Sequence, residues 1–394
     1  MKYDIIIIGA GLVGLATAYQ IKKESPITKI LILEKENDVA LHQSGHNSGV
    51  IHSGIYYKPG SLKAKNCIDG YNSIINFAKE YGIRYDLCGK IIVATSKEEL
   101  PLLDNIYNRG IKNGLENISY LSREKFREIE PHCEGIKAIK VPQTGIIDYP
   151  EIAKKIKELF EDLGGEVQFN EEVRNIHQNV NDITVSTLKK EFQTKKLISC
   201  AGLYSDKITN MTNQNNDLII IPFRGEYYKL KDDKKHLVNH LIYPVPNPNF
   251  PFLGVHFTRM IDGVIEAGPN AVLAFKKEGY SFSDFNFAES MQTFLWPGFR
   301  KVVAKYGKTG MGEVHRSLSK SAFTKALQKL LPEIQQSDLI PGGSGVRAQA
   351  CDRNGGLLDD FDIVKNGNVI HVRNAPSPAA TSCLSIGSTI SKLI

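Results

Sequence analysis

Three glycines near the start of the sequence and one acid after them form the clearest chemical pattern. Gly9, Gly11 and Gly14 keep a Gly-x-Gly-x-x-Gly spacing directly after an apolar run at residues 3–8. Glu34 closes the next apolar run, about 20 residues further on, where a carboxylate can accept both hydroxyls of a ribose. Such glycines let a backbone turn approach a pyrophosphate, and the helix N-terminus that follows favours its charge. The pattern predicts a dinucleotide site.

A loop at residues 43–54 combines small residues with groups that form hydrogen bonds. It contains three glycines, three serines, an asparagine and the imidazoles of His46 and His52. Small side chains give a large polar ligand access to backbone amides, whereas a flexible linker would rarely carry two imidazoles and an apolar pair in its middle. We expect this loop to face the cofactor, with His46 in a structural role.

Two later segments fit the same ligand. A buried strand ends on Ala201 and Gly202, and the carboxyl ends of parallel strands are where such sheets meet their ligands. Near the end of the chain, Ser377 is predicted to cap an apolar helix whose first residue is Pro378. The partial positive charge of that helix N-terminus would stabilise the anion formed when a flavin takes up two electrons. A nicotinamide has no such requirement, so the pattern favours a flavin.

The elements that must hold these groups alternate between strand and helix. Residues 3–33 are typical of a strand, a helix and a second strand, and residues 151–200 again combine a helix with strands. Residues 218–268 are rich in β-formers and predict an antiparallel sheet, whereas residues 282–329 are helical. The sequence therefore predicts an α/β (α+β) fold, in which a Rossmann-like domain is interleaved with a second, mostly antiparallel β domain.

Composition excludes several other classes of protein. The 394 residues are 42% hydrophobic and 23% charged, which is the profile of an ordered globular chain. The net charge of +6 contains no long like-charge block, so no nucleic-acid partner is indicated. The six cysteines are dispersed without a Cys-x-x-Cys pair, which predicts neither a metal site nor disulfides and fits a reducing cytoplasm. The apolar stretch at residues 5–21 contains three spaced glycines, which favours the nucleotide turn over a membrane span.

Taken together, these residues resemble the FAD-dependent oxidoreductases of the D-amino-acid oxidase and glycerol-3-phosphate dehydrogenase superfamily. Longer strings are similar to the members that oxidise L-2-hydroxyglutarate, and they lie at residues 46–57, 253–258, 268–275, 345–349 and 374–381. The resemblance implies noncovalent FAD and oxidation of L-2-hydroxyglutarate, a small dicarboxylate, to 2-oxoglutarate by hydride transfer to flavin N5. Electrons would pass to a quinone or to oxygen, and a quinone-linked role would require peripheral contact with the inner face of a membrane.

The resemblance also divides the chain between two domains. An FAD-binding domain is expected at residues 1–75, 143–215 and 331–394, and a substrate-binding domain at residues 76–142 and 216–330. The predicted cofactor contacts are Gly9, Gly11, Gly14, Glu34, Lys35, Ser44, Asn47, Ser48, Gly49, Val173, Ala201, Gly202, Gly345, Pro378, Ala379, Ala380 and Thr381.

Oxidation of a 2-hydroxy acid also needs a base for the hydroxyl proton. Histidine is the natural choice because its pKa lies near the working pH. His256 is the preferred candidate, and His52 is the second because its loop should face the flavin. Strand alternation places Thr258 on the same face as His256, which makes it a candidate substrate contact.

A dicarboxylate substrate also needs cations. Arg347 matches the position at which the resembled superfamily holds the substrate carboxylate, and a guanidinium suits that bidentate contact. The second carboxylate requires another cation, for which Arg224 and Arg259 are the candidates. Tyr227 and Tyr228 either line the pocket or pack within the sheet.

Two other functions remain open at this point. The first is another FAD oxidoreductase of the superfamily, acting on an amino acid or on glycerol 3-phosphate. The second is a flavin-binding assembly factor without catalysis, although such a factor would need neither the two histidines nor Arg347.

Overall fold

The structure is a computed structural model that describes residues 2–212, 217–248 and 252–394. The predicted domain boundary between residues 215 and 216 lies outside the described residues. The strands are β1 (Lys2–Ile8), β2 (Ile30–Leu33), β3 (Val50–Ile51), β4 (Tyr85–Asp86), β5 (Lys90–Ala94), β6 (Ser119–Ser122), β7 (Lys137–Val141), β8 (Gly145–Ile147), β9 (Glu166–Gln168), β10 (Val173–Gln178), β11 (Ile183–Thr187), β12 (Glu191–Ser199), β13 (Leu218–Leu230), β14 (Leu241–Pro244), β15 (His256–Arg259), β16 (Ile265–Gly268), β17 (Val272–Leu273), β18 (Leu339–Asp352), β19 (Asp362–Asn366) and β20 (Val369–Asn374).

Helices pack against both of the larger sheets. The α-helices are α1 (Leu12–Glu24), α2 (Leu62–Tyr81), α3 (Leu100–Lys112), α4 (Arg123–Ile129), α5 (Tyr149–Asp162), α6 (Ser205–Met211), α7 (Phe287–Leu295), α8 (Pro297–Leu318), α9 (Lys320–Leu327) and α10 (Cys383–Ser391). Among the described residues, none of these helices has the length and apolar character that crossing a bilayer requires.

The first sheet carries the predicted nucleotide unit. Strand β1 pairs in parallel with β2 and β12, β2 with β9, and β12 with β20. Strands β1 and β2 are apolar along nearly their whole length because both of their faces are buried: α1, α5 and α10 pack over one face, and side chains of β10, β11 and α6 pack against the other. This arrangement confirms the predicted strand, helix and strand of residues 3–33 and brings the carboxyl ends of β1, β2 and β12 to one edge.

The second sheet is mostly antiparallel, as the sequence predicted. Its order is β17-β13-β16-β15-β14-β5-β7-β6, with β18 paired along β13 from Leu218 opposite Asp352 to Leu230 opposite Leu339. Strand β18 therefore belongs to this sheet, although the sequence assigned residues 331–394 to the FAD-binding domain. The long pairing with β13 explains the difference, because it cannot be recognised from the local pattern of either strand.

The last helix begins later than predicted. Helix α10 starts at Cys383 after Ser382, whereas Ser377 was expected to be the cap and Pro378 the first helical residue. Residues 376–382 instead form turns, in which the N–H of Ser382 donates to the carbonyl of Pro378. The hydroxyl of Ser377 faces the imidazole of His52 rather than a helix amide, so the capping prediction is wrong.

Candidate active site

A cavity of about 740 Å³ lies between the two larger sheets and continues to the glycine turn after β1. Most of the residues singled out from the sequence line it, although they come from distant parts of the chain. They are Gly9, Gly11, Glu34, Lys35, Ser44, Asn47, Ser48, His52, Val173, Ala201, Gly202, Tyr227, His256, Gly345, Arg347, Pro378, Ala379 and Ala380.

The glycine turn leaves no room for side chains. Gly9 has a φ of +102°, and a Cβ on it would lie 2.6 Å from the carbonyl oxygen of Cys200. A Cβ on Gly14 would lie 2.0 Å from the carbonyl oxygen of Gly9, so this glycine lets α1 pack on β1 rather than lining the cavity. Helix α1 has no acid in its first turn, which leaves its positive end to attract an anion. These features fit the diphosphate of a dinucleotide.

Glu34 is held at the mouth of this turn. It is buried at the end of β2, and its two carboxylate oxygens accept hydrogen bonds from the backbone N–H groups of Ala10 (2.7 Å) and Glu36 (3.0 Å). A carboxylate fixed in this way keeps lone pairs for further donors. Its position fits the predicted contact with ribose hydroxyls.

The loop at residues 43–54 is ordered by its own polar side chains. Asn47 donates to the carbonyl oxygens of Gln43 (3.1 Å) and Ser44 (2.7 Å) and accepts from the N–H of Gly49 (2.9 Å). The hydroxyl of Ser44 accepts from the N–H of Leu12 at the start of α1 (3.0 Å). The loop is thus fixed against the glycine turn, whereas Gly49, with a φ of +63°, does not line the cavity.

His52 lies where this loop meets the turn before α10. Its Nε2 is 3.3 Å from the hydroxyl of Ser377, and its backbone N–H donates to Oγ1 of Thr381 (3.1 Å). Thr381 is fully buried and does not line the cavity, so it positions the loop. Burial, reinforced by the nearby charge of Lys90, lowers the pKa of His52 to about 3. The imidazole is therefore neutral at physiological pH.

His256 has the geometry of a base. Its Nδ1 lies 2.9 Å from the carbonyl oxygen of Gly254, which can only accept, so Nδ1 carries the proton and Nε2 keeps a lone pair. The ring packs against Tyr243 with centroids 4.0 Å apart. Burial lowers the pKa of His256 to about 3, and the charge of Arg347 acts in the same direction. A neutral imidazole therefore lines the cavity, and its Nε2 has no hydrogen-bond partner among the described residues.

Arg347 supplies a cation on the same wall. Strand β18 places it opposite Phe223 of β13, and its guanidinium lies over the ring of Phe252 at 5.3 Å from the centroid. Among the described residues no carboxylate lies within ion-pairing distance of this guanidinium. The charge remains available to an anionic ligand.

Three other predicted substrate contacts do not line the cavity. Arg224 is buried and bonded to Glu226 and to the carbonyl of Ser281, and Arg259 is paired with Asp86. Thr258 is buried and hydrogen-bonds to Tyr243, so it positions that ring. The expectations for these three residues do not hold, because protein partners already occupy their polar groups.

One group of possible metal ligands is already occupied by a side chain. Glu36, His42 and Glu278 lie close enough to share a cation, but Nζ of Lys35 contacts all three of them. The ammonium group supplies the positive charge that the two carboxylates require. Lys35 lines the cavity while it holds this cluster together.

Sequence reasoning missed several residues of the cavity wall. Tyr56, Tyr243 and Phe252 line it, and Gln43 accepts from the N–H of Ala348. Lys90 is buried directly behind the two tyrosines. Tyr56 lies within residues 46–57, one of the segments that carry the family resemblance. The sequence signal for Lys90 is its position at the start of β5, a strand that is otherwise apolar and fully buried.

The fold and the site define a dinucleotide-dependent oxidoreductase with a substrate cavity between two sheets. The chain belongs to the FAD-dependent oxidoreductase family, whose sequence model matches residues 4–393. FAD is accordingly its cofactor, which confirms the predicted flavin and the predicted fold class.

Relatives with a named activity match nearly the whole length of the chain. The chain is 58% identical to an L-2-hydroxyglutarate dehydrogenase of Indibacter alkaliphilus, over 99% of this chain and 98% of the relative. It is 45% identical to the protein of that name in Escherichia coli K12 (98% and 92%) and 44% identical to the human mitochondrial one (99% and 88%).

Solved structures support the fold. An FAD-bound L-alpha-glycerophosphate oxidase of Mycoplasma pneumoniae superposes with a TM-score of 0.82 at 24% identity, covering 100% of this chain and 94% of that one. A glycine oxidase of Geobacillus kaustophilus superposes with a TM-score of 0.73 at 17% identity, covering 100% and 94%.

Proposed function

We propose that this protein oxidises L-2-hydroxyglutarate to 2-oxoglutarate. The observation that carries the proposal is the neutral imidazole of His256 in one cavity with the guanidinium of Arg347, where neither Nε2 of the imidazole nor the guanidinium has a polar side-chain partner among the described residues. The full-length likeness to proteins named L-2-hydroxyglutarate dehydrogenase supports the choice of substrate. Turnover of L-2-hydroxyglutarate, compared with glycerol 3-phosphate and amino acids, tests the proposal.

The side chains of the cavity have separate tasks in this proposal. Arg347 binds the carboxylate next to the reacting carbon, which fixes the hydroxyl towards His256. Nε2 of His256 accepts the hydroxyl proton, while the bond from Nδ1 to Gly254 keeps the ring in the tautomer that this requires. His52 lines the same cavity with Ser377. When bound, FAD supplies the acceptor for the hydride from the same carbon.

The chain's own residues also account for noncovalent cofactor binding. We place the diphosphate at the glycine turn, the ribose at Glu34, and the flavin between the loop of Ser48 and the turn of Ala380. The glycine turn, the loop of Ser48 and the turn of Ala380 each bring small residues to the cavity, and Glu34 brings its carboxylate. The predicted domain division, with β18 moved to the substrate side, is consistent with this placement.

Replacing Arg347 with lysine is expected to raise KM for L-2-hydroxyglutarate by about 10-fold or more with FAD content unchanged, because a bidentate charged contact becomes a single one. Steady-state kinetics and the flavin-to-protein absorbance ratio measure the two effects. Arg353→Lys is the control, since Arg353 is exposed and stacks on Trp296. An unchanged KM would place the carboxylate site elsewhere.

The electron acceptor in our proposal is a quinone within a membrane. Helix α8 supports this, because few of its residues pack against the rest of the protein and its free surface has two distinct faces. Exposed apolar side chains at positions 303, 311, 314 and 318 have the spacing of one helix face, and Phe287 and Leu295 are exposed on the preceding helix α7. The helix also carries five basic residues and one acid. An apolar face beside a basic one suits anionic headgroups.

Replacing both Met311 and Leu318 with glutamine is expected to abolish binding to phosphatidylglycerol vesicles, measured by co-sedimentation at low salt. The matched control replaces Ile27 and Val180, which are at least as exposed, with glutamine and should bind like the wild type. Equal sedimentation of both variants, or no binding by the wild type, would contradict the membrane contact. If the wild type forms dimers that these substitutions disrupt, the face binds a second copy of the chain instead. If the protein turns over rapidly with oxygen alone, oxygen and not a quinone is the electron acceptor.

A further inference from the structure

Lys90 is a buried cation without a counter-ion. It begins strand β5 and is 2% exposed, yet among the described residues no carboxylate lies within ion-pairing distance of its Nζ. Two rings enclose it instead, with Nζ 4.6 Å from the ring centroid of Tyr56 and 4.9 Å from that of Tyr243. Contacts with ring faces offset only part of the cost of burying a charge. An unpaired lysine in such a place is expected to serve a ligand.

The neighbouring polar groups point to an anion. Both tyrosines line the cavity, and the hydroxyl of Tyr56 is buried without a hydrogen-bond partner among the described residues. Buried polar groups usually have a hydrogen-bond partner, so the hydroxyl of Tyr56 can donate to an acceptor in the cavity, with the ammonium of Lys90 behind its ring. The charge of Lys90 also acts on both His52 and His256.

The candidates for a second cation are few. Arg224 and Arg259 are bonded to carboxylates, and Lys63, which also lines the cavity, is 2.8 Å from Asp359. Arg347 and Lys90 are the cations that act on His256 without a carboxylate partner among the described residues. Lys90 does not itself line the cavity, but its charge lies directly behind Tyr56 and Tyr243, which do. The two charges can therefore act on the two ends of one dicarboxylate.

We propose that the hydroxyl of Tyr56, with the charge of Lys90 behind its ring, holds the carboxylate of the substrate that is remote from the reacting carbon and so selects a dicarboxylate over a monocarboxylate. This assignment rests on the proposed function, in which Arg347 holds the first carboxylate. The pairing of β5 with β14 brings Lys90 and Tyr243 together, and Tyr56 comes from the segment between β3 and α2.

The affinity for a dicarboxylate should depend on pH through Lys90. Burial lowers the pKa of Lys90 to about 7, and the groups around it are Tyr56, Tyr243, Cys67, His52 and His256. Burial holds the two imidazoles neutral and the tyrosines and thiol protonated near neutral pH, so Lys90 is the group that titrates there. A bound carboxylate favours the ammonium form and raises the pKa of Lys90. Binding of a dicarboxylate above pH 7 should therefore take up a proton.

Calorimetry of glutarate and butyrate binding to the FAD-loaded protein tests this. For wild type, we expect the Kd of glutarate to rise by nearly tenfold per pH unit between pH 7.5 and 8.5. Proton uptake will appear as different enthalpies in phosphate and Tris buffers, whereas the Kd of butyrate should stay constant. These wild-type measurements require no variant to fold.

Two variants identify the residue responsible. In Lys90→Met, the Kd of glutarate at pH 7 should rise by about 10–100-fold and lose its pH dependence, while butyrate binds as before. Lys137→Met is the matched control and should behave like wild type, because Lys137 also lies over a tyrosine ring, that of Tyr120, but does not line the cavity. Glutarate binding without proton uptake, or loss of the effect in Lys137→Met alone, would overturn the assignment. Turnover of L-2-hydroxyglutarate by the wild type is measured separately, so failure of the proposed function remains distinguishable.

Discussion

Replacing His256 with alanine is expected to slow flavin reduction by L-2-hydroxyglutarate by about 10²–10⁴-fold, which is the usual effect of removing a general base. The physical reason is that Nδ1 donates to the carbonyl of Gly254, which leaves Nε2, unpartnered in the part of the chain that the structure describes, as the acceptor in the cavity. FAD content should not change. Stopped-flow absorbance under anaerobic conditions measures the rate of reduction directly.

His46→Ala is the matched control for this experiment. His46 also borders the cavity, but it packs against Tyr280 with ring centroids 4.5 Å apart and Nδ1 contacts the carbonyl of Ser344, so we expect a structural role. Its replacement should change the reduction rate by less than about threefold, the scale of a small shift in positioning. A loss of less than tenfold in His256→Ala, with a larger loss in His52→Ala, would make His52 the base.

The second large effect is expected from Gly14→Ala. The added Cβ would lie 2.0 Å from the carbonyl oxygen of Gly9 and 3.4 Å from Cβ of Cys200, so α1 must move away from β1. That movement opens the turn on which the diphosphate rests. We expect the variant to lose FAD on gel filtration and to be destabilised by about 1–3 kcal/mol, the usual cost of overpacking.

Gly310→Ala is the control for that substitution. Gly310 lies in helix α8, and a Cβ there would meet no atom within 4 Å. Alanine is the better helix former, so this variant should retain FAD and be as stable as wild type or slightly more stable. Flavin absorbance after gel filtration and the Tm measure both properties. Full FAD retention in Gly14→Ala would contradict the role given to the glycine turn.

The parts of the site that could be predicted are formed by residues that lie close together in the sequence. The glycine turn, Glu34 and the loop around Asn47 each depend on neighbouring residues, so spacing alone indicated them. The resemblance added Arg347 and His256. The structure then showed which nitrogen of His256 is free, because that depends on the bond to Gly254.

The residues that could not be predicted depend on contacts between distant segments. Lys90 meets Tyr243 only because β5 pairs in parallel with β14, which places Ile91 opposite Ile242. From the sequence, Arg224 was a candidate for binding the second carboxylate of the substrate. In the structure its guanidinium donates to Glu226 and to the carbonyl of Ser281 instead. Likewise, β18 joins the second sheet through its pairing with β13, which neither strand's own pattern reveals.

Anaerobic mixing of the FAD-loaded protein with L-2-hydroxyglutarate tests the central claim most directly. The account predicts that the flavin absorbance near ~450 nm, a property of the cofactor itself, is bleached and that one 2-oxoglutarate forms per FAD. The D enantiomer, glycerol 3-phosphate and amino acids should leave the absorbance unchanged at the same concentration. Bleaching by one of these compounds but not by L-2-hydroxyglutarate, or by none of them, would contradict the account.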